Sequence, residues 1–264
     1  MHWVIKKGYC GEGYLDIIDS VERLGHSYSL VNYKRSENIS IEINDKFDTN
    51  QVMVYGGLGL INYAQKNNWK IGAFFNDNFS VDVWQKHYKE ELLNDDSIIT
   101  TLGELEVPHL DNFFIRPLHD NKSFNGQLMS RSEYMDWRKK IIEMNTESYS
   151  AVDKNTQITI AKPKYIVTEY RLFVVDSQII TGSEYRRGNK IFYNAHVPEF
   201  VIAYAQKVMS IWQPDRAYCL DIAEVYQENA PSICKVLEIN CINGCGLYAA
   251  DPDKYVHFLS EVVA

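Results

Sequence analysis

Long apolar runs are missing from this chain. No stretch approaches the roughly 20 residues that a membrane-crossing helix needs, so no membrane association is expected. The opening segment, MHWVIKKGYCGEGYL, lacks the charged head, apolar stretch and small-residue cleavage site of a secretory leader, and a cytoplasmic location is the expectation. A basic excess is missing too. Lys and Arg number 27 against 35 Asp and Glu, a formal charge of −8. That balance speaks against nucleic acid as a partner while leaving room for a local cationic pocket. Cysteine is sparse and odd in number, five at positions 10, 219, 234, 241 and 245, which fits reduced thiols rather than a disulfide framework. Cys241 and Cys245 are spaced C-x3-C but have no further pair of ligands at recognisable spacing, so they read as small buried residues.

Phosphate-loop signatures are also lacking. Neither CGEGY nor YGGLGL completes G-x-G-x-x-G or carries the G-K-[ST] ending, and glycines that follow a strand are turn residues first. No Ser-His-Asp or Cys-His constellation stands out, and a lone histidine such as His196 is more often structural than catalytic. Internal repeats and low-complexity tracts are absent.

What remains is a chain of 264 residues, 45% hydrophobic and 23% charged, long enough to bury a substantial core as one domain or several lobes. Its first hundred residues alternate strand-like and helix-like segments: HWVIKK, GYLDIIDSVERLG, SYSLVNY, QVMVYGG, LGLINYAQKN, KIGAFF. That rhythm predicts a small α/β lobe with a partly parallel sheet over residues 1–108. VWQKHYKEELLN adds a helix, TTLGELEVPHLDN reads as a connection, and a boundary is placed near Pro108. Beyond it the texture is α+β. NFFIRP is a strand followed by a polar loop, and Ser130 to Glu133 form a capping box that opens a helix. QITIA, YIVTEYRLFVV and IITGSEYRR are strands, with Ser177–Gln178 as a tight turn. Pro198 starts a helix whose apolar stripe runs Phe200, Val201, Tyr204, Ala205, Val208, Met209, Trp212. AYCLDIAEVY and SICKVLEIN form an antiparallel hairpin, and DKYVHFLSEVV closes as a helix.

The hairpin carries the chemistry. Folded about the Asn229–Ala230 bond, it sets Asp221 opposite Glu238, Cys219 opposite Asn240, Leu220 opposite Ile239 and Ile222 opposite Leu237. Because side chains alternate along a strand, one face is apolar and the other bears Asp221, Glu238 and Asn240. Two ionised carboxylates roughly 5 Å apart repel by about 3 kcal/mol at an effective dielectric of about 20, enough to raise one pKa by about two. A shared proton, an arginine or a divalent cation each relieves that. Hard oxygen donors of this kind suit Mg²⁺; a structural arginine–carboxylate pair on a solvated face is the competing reading.

Cationic residues occur in order along the chain: Arg116 in FFIRP, Lys122 in the polar loop, Arg171 in EYRLFVV, then Arg186 and Arg187 in SEYRRGNK. Arginine offers a planar fork of donors to phosphate oxygens. Arg116 and Arg171 interrupt apolar strands, where an arginine is costly to bury without a fixed anion. Arg186 and Arg187 adjoin, so one of the two faces a site; for Arg187 and Lys122 singly a surface ion pair is the alternative.

Taken in order, F-I-R-P, E-Y-R-L-F-V, S-x-Y-R, L-D-I-A and L-E-I-N resemble the ATP-grasp superfamily, and more narrowly its compact bacterial and phage-associated clade in which arginine replaces the lysine of the V-K-P strand. The likeness covers residues 111–250. It implies an ATP-grasp fold, two α+β lobes (109–170 and 171–264) sandwiching a nucleotide, preceded by the α/β lobe. It further implies ATP and Mg²⁺ as cofactors, with Asp221, Glu238 and Asn240 as metal ligands. Arg116, Lys122 and Glu169 would lie on the nucleotide side, and Arg171 with Arg186 on the phosphate and substrate side. The polar loop Asp120 to Gly126 has one glycine where the family has several, and the adenine hinge falls within Ile160 to Lys164. The implied activity is a carboxylate–amine ligase acting through an acyl phosphate on an amino acid, peptide or protein tail. A small-molecule kinase and a non-catalytic nucleotide-binding protein are the alternatives. Nothing in the sequence sets the oligomeric state.

Overall fold

The computed structural model describes residues 1–10, 13–32, 46–105, 110–119, 123–143 and 152–262. Lys122 and the boundary expected near Pro108 lie outside them. The chain forms two compact units, one of Met1–Asp77 with Ile166–Ala264 and one of Asn78–Tyr165.

In the first unit, β1 (His2–Lys6), β2 (Ser27–Val31), β3 (Val52–Tyr55) and β4 (Ile71–Gly72) form a sheet in the order β2-β1-β3-β4. Every pairing in it is parallel, where partial parallelism was expected. Such sheets are covered on both faces, which is why β3 is buried at every position and β1 at its three central ones. Helix α1 (Gly13–Arg23) buries Ile17, Ile18 and Val21, and α2 (Leu58–Lys66) buries Leu60, Ile61 and Ala64.

The second unit has helix α3 (Val81–Tyr88), strands β5 (Ile98–Thr101), β6 (Asn112–Pro117) and β7 (Gln127–Ser130), helix α4 (Arg131–Glu143) and strand β8 (Gln157–Ala161). Its sheet, β5-β8-β6-β7, is antiparallel. Phe113, Ile115, Tyr134 and Ile158 are fully buried in its core. The capping box forms as expected: Ser130 N donates to Glu133 Oε2 at 2.8 Å, and Glu133 N donates to Ser130 Oγ at 3.3 Å. Thr100 and Thr101, expected in a connection, belong to β5, because pairing with Ile158 and Gln157 overrides their weak local pattern. Strand β7 was not anticipated either. Gly126 precedes it, where a Cβ would lie 2.8 Å from Phe114 Cζ, so the loop's single glycine answers to strand packing.

The chain then returns to the first unit. Strands β9 (Ile166–Val175), β10 (Gln178–Arg187), β11 (Lys190–Asn194), β12 (Ala217–Gln227) and β13 (Ala230–Cys241) make an antiparallel sheet in the order β11-β10-β9-β12-β13. The tight turn sits one residue earlier than expected, at Asp176–Ser177, both with positive φ (45° and 63°), as two-residue hairpins of matching twist require. Strand β11 went unread because its five residues, KIFYN, are half-exposed or exposed throughout. Helix α5 (Glu199–Ile211) buries Val201, Ala205, Val208 and Met209, whereas Phe200 of the expected stripe is exposed. Helix α6 (Pro252–Glu261) is capped by Asp251, whose side chain accepts from Asp253 N and Lys254 N. The whole is α+β, and no helix among the described residues is long and apolar enough to cross a membrane.

Candidate functional site

Asp221 and Glu238 face one another across β12 and β13, as do Cys219 with Asn240 and Leu220 with Ile239. The route to that register differs from the one expected. The hairpin turns at Glu228–Asn229, with Asn229 at φ 60° and Gln227 paired to Ala230, so it pivots one bond earlier. Two register shifts between the turn and Asp221 then restore the pairing at the acidic end. The first leaves Ile222 opposite Val236, correcting the Ile222–Leu237 pair, and the second sets Asp221 opposite Glu238. Leu237 is the extra residue of this bulge and is only half-buried, while Val236 takes the core position.

The row continues into β9, where Arg171 is the cross-strand partner of Asp221. Its Nε donates to Asp221 Oδ1 at 2.8 Å and its Nη2 to Oδ2 at 2.7 Å. Glu238 Oε1 stands 3.9 Å from the same Nη2. Asn240 Nδ2 donates to Glu238 Oε1 at 2.9 Å and lies 3.4 Å from Asp221 Oδ2, so the amide bridges the two carboxylates. Asp221, Asn240 and Arg171 are buried; the Glu238 side chain keeps 26% of its surface exposed. Within this unit the anion that holds Arg171 in an apolar strand is Asp221. Burial pushes the Asp221 carboxyl up to about 6, against the pull of Arg171 and with Glu238 adding to the rise.

Glu169 lies two residues before Arg171, on the same side of β9. Burial raises its pKa, while a hydrogen bond from Tyr185 and the charge of Arg186 draw it down. A bulge in β10 brings Arg186 opposite Glu169, with Nε 3.7 Å from Oε1. Arg187 points elsewhere and pairs with the buried Glu184 at 2.7 and 2.8 Å, an ion pair of which only the arginine is exposed. Over Arg171 lie two rings, Tyr248 at 5.0 Å and Tyr185 at 5.5 Å from the guanidinium carbon. Tyr248 is itself stacked between Tyr185 (4.9 Å) and Tyr193 (5.3 Å).

The segment that follows β13 reads from sequence either as a pocket wall shaped by Tyr248 with Gly244 and Gly246 or, the favoured alternative, as a turn into the last helix; its construction has no sequence signal. Each successive carbonyl is claimed. Tyr255 Oη donates to Ile242 O at 2.9 Å, Gly56 N to Asn243 O at 2.9 Å and Tyr9 Oη to Gly244 O at 2.8 Å. Tyr55 Oη donates to Cys245 O at 3.0 Å, and Arg171 Nη1 to Gly246 O at 3.3 Å. Asn243, fully buried, accepts from Phe74 N at 2.8 Å and donates to Val54 O at 2.8 Å and Gly72 O at 3.2 Å. It thereby ties the end of the acidic strand to the parallel sheet. Buried backbone polar groups must find partners, and here tyrosine hydroxyls and one asparagine supply them. Cys241 and Cys245 are buried thiols outside any disulfide, as expected.

In the unit Asn78–Tyr165, Arg116 is half-buried on β6, opposite Thr159 of β8, with its guanidinium 5.2 Å from the Trp84 ring. Lys164, at the end of the stretch expected to hold the adenine hinge, binds Asp96 Oδ1 at 2.5 Å.

Among the described residues no group of three His, Cys, Asp or Glu side chains is arranged to hold a metal. The acidic row instead offers two carboxylates and an amide, oxygen donors of the type Mg²⁺ takes together with water and phosphate. Burial is the chief cause of the raised Asp221 carboxyl, with Glu238 adding to it; the donor types of the row, two carboxylates and an amide, are those a divalent cation accepts.

No curated protein is significantly similar to this chain in sequence. Solved structures match it over its length. D-cycloserine synthetase DcsG is 10% identical with a TM-score of 0.58, covering 100% of each chain. The ATP complex of D-alanine–D-alanine ligase from Bacillus anthracis is 12% identical with a TM-score of 0.59, covering 98% of this chain and 94% of that one. An ATP-grasp RimK domain protein from Sphaerobacter thermophilus DSM 20745 is 10% identical with a TM-score of 0.63, covering 98% and 99%. At these identities the likeness concerns the fold. The model of one family, the ATP-grasp domain of the R-2-K clade, family 2, matches residues 96–258, more than half of the sequence and the whole of β9–β13. The chain belongs to the ATP-grasp family, within that clade.

Proposed function

We propose that this protein is an ATP- and Mg²⁺-dependent carboxylate–amine ligase. The γ-phosphoryl group of ATP passes to a substrate carboxylate, releasing ADP and leaving an acyl phosphate. An amine then attacks the acyl carbon, inorganic phosphate departs, the nitrogen gives up a proton, and an amide results. Phosphoryl transfer asks a protein chiefly for alignment and charge neutralisation, and no side-chain nucleophile is needed. The names of the neighbours support the reading, since they include a D-alanine–D-alanine ligase and a D-cycloserine synthetase.

The observation that carries it is the Arg171–Asp221–Glu238 row with Asn240 at its edge. Asp221, Glu238 and Asn240 would hold Mg²⁺, which neutralises phosphate charge when bound. Arg171 fixes Asp221 and narrows the directions in which its carboxylate can face a ligand. Arg116 and Lys122 would take ATP phosphates, with Glu169 on the nucleotide side. Arg186, 48% exposed beside Glu169, would meet the transferred phosphoryl group or the substrate carboxylate.

Hydroxylamine tests the reaction class without knowledge of the acceptor. Incubated with ATP, Mg²⁺ and a panel of amino acids and short peptides, the protein should release ADP and form a hydroxamate only with its carboxylate substrate. Glu238→Ala should abolish both. ADP with a stable phosphorylated product and no hydroxamate would make the protein a kinase. ATP binding with no turnover across the panel would make it a binding protein.

A further inference from the structure

Strand β11 is the last strand of its sheet: β10 pairs with one side, and among the described residues no strand pairs with the other. Proteins usually blunt such an edge with charge, proline or a covering element. Here Ile191, Phe192 and Tyr193 are 71, 40 and 55% exposed. An open, apolar edge invites an added strand, which is either a second copy of the chain or an extended peptide. Charge separates the two. Residues 183–196 contain Arg186, Arg187 and Lys190 against Glu184 alone, within a chain of net charge −8. Arg186 and Arg187 each hold one carboxylate yet stay 48 and 56% exposed. Edge-to-edge pairing of two copies would set these cations against their own image, whereas an acidic strand would complement them.

The edge is also continuous with the acidic row. Tyr193 stacks on Tyr248 at 5.3 Å, and Tyr248 lies 5.0 Å from the Arg171 guanidinium. We propose that β11 is the docking edge for an extended acidic peptide, added as a sixth strand beside Ile191 and Tyr193. Strand order places such a peptide four spacings from β12, roughly 19 Å at the usual separation, a span of about six extended residues. Resting on the ligase reading, this makes the docked chain the carboxylate donor. Its reactive carboxylate then lies about six residues beyond the seated segment.

The test needs no nucleotide. Fluorescence anisotropy follows a fluorescein-labelled decapeptide of alternating Glu and Val, its Lys–Val counterpart, and a Glu–Val version N-methylated at alternate amides. The Glu–Val peptide is expected to bind saturably. Binding should weaken at least tenfold for the Lys–Val peptide, for the N-methylated peptide, and for the Glu–Val peptide on the surface variant Ile191→Glu. Absence of binding, equal binding of either control peptide, or an unchanged affinity in Ile191→Glu would overturn the assignment. So would sedimentation of the wild type as a dimer that Ile191→Glu splits, which gives the edge to a second copy. Because ATP is absent, failure of the ligase reaction leaves this result intact, and the converse holds equally.

Discussion

Arg171 and Asp221 form a two-point ion pair across neighbouring strands, Nε to Oδ1 at 2.8 Å and Nη2 to Oδ2 at 2.7 Å, with the aspartate fully buried. Removing one partner of a buried pair strands the other as an uncompensated charge, at a cost of about 3–5 kcal/mol. Asp221→Leu is therefore expected to destabilise the fold by about that much in urea unfolding. Arg171→Met with Asp221→Leu should recover most of the loss, since an apolar replacement of both partners is often neutral. Equal destabilisation by the single and double variants would show that the pair is not the coupled unit the geometry describes.

Asn243 gives a second stability prediction. Its amide serves one backbone N–H and two backbone carbonyls inside the core. Asn243→Leu fills a similar volume but leaves those groups without a partner, each at about 1–3 kcal/mol. A loss of about 3 kcal/mol or more is expected by chemical denaturation. Because Asn243 anchors the end of the acidic strand, cation affinity should fall as well, even where the variant remains folded. A change below about 1 kcal/mol would mean that solvent readily replaces the amide.

The pH dependence of cation binding follows from Asp221. With its carboxyl raised to about 6, the folded protein holds a proton that the unfolded chain has already released between the ordinary carboxylate range and that value. Without a cation, this group's contribution to stability therefore falls as pH rises through that window. A bound cation displaces the proton, so the rise in melting temperature produced by Mg²⁺ and nucleotide should be small near pH 5 and complete above about pH 7. Calorimetric scans with Mg²⁺ and with a chelator measure it. An Mg²⁺ effect of one size at both pH values would contradict the linkage.

Much of this was legible because alternation on a strand is a strict rule. Leu220, Ile222 and Ile239 had to face a core, which left Asp221, Glu238 and Asn240 on the other side whatever the turn. The register at the acidic end came out right although the pivot did not, because two bulges offset a turn one bond earlier. Bulges answer to twist and packing, and sequence gives little warning of them. The exposed strand β11 was invisible for the opposite reason: it buries almost nothing, so no pattern is imposed on it. Asn243 and the hydroxyls of Tyr9, Tyr55 and Tyr255 escaped notice because their partners are backbone carbonyls. Backbone groups leave no trace in side-chain identity. Arg171 was singled out correctly as an arginine in need of an anion, but spacing could not say that the anion lay on the next strand.

The most direct test is the affinity of the protein for Mn²⁺ with a non-hydrolysable ATP analogue, followed by loss of the free-ion paramagnetic resonance signal. Wild type is compared with Glu238→Gln and with Glu224→Gln, the latter on β12 but off the row. A loss of at least tenfold confined to Glu238→Gln is the predicted result; affinity unchanged by Glu238→Gln would contradict a divalent cation at the acidic row.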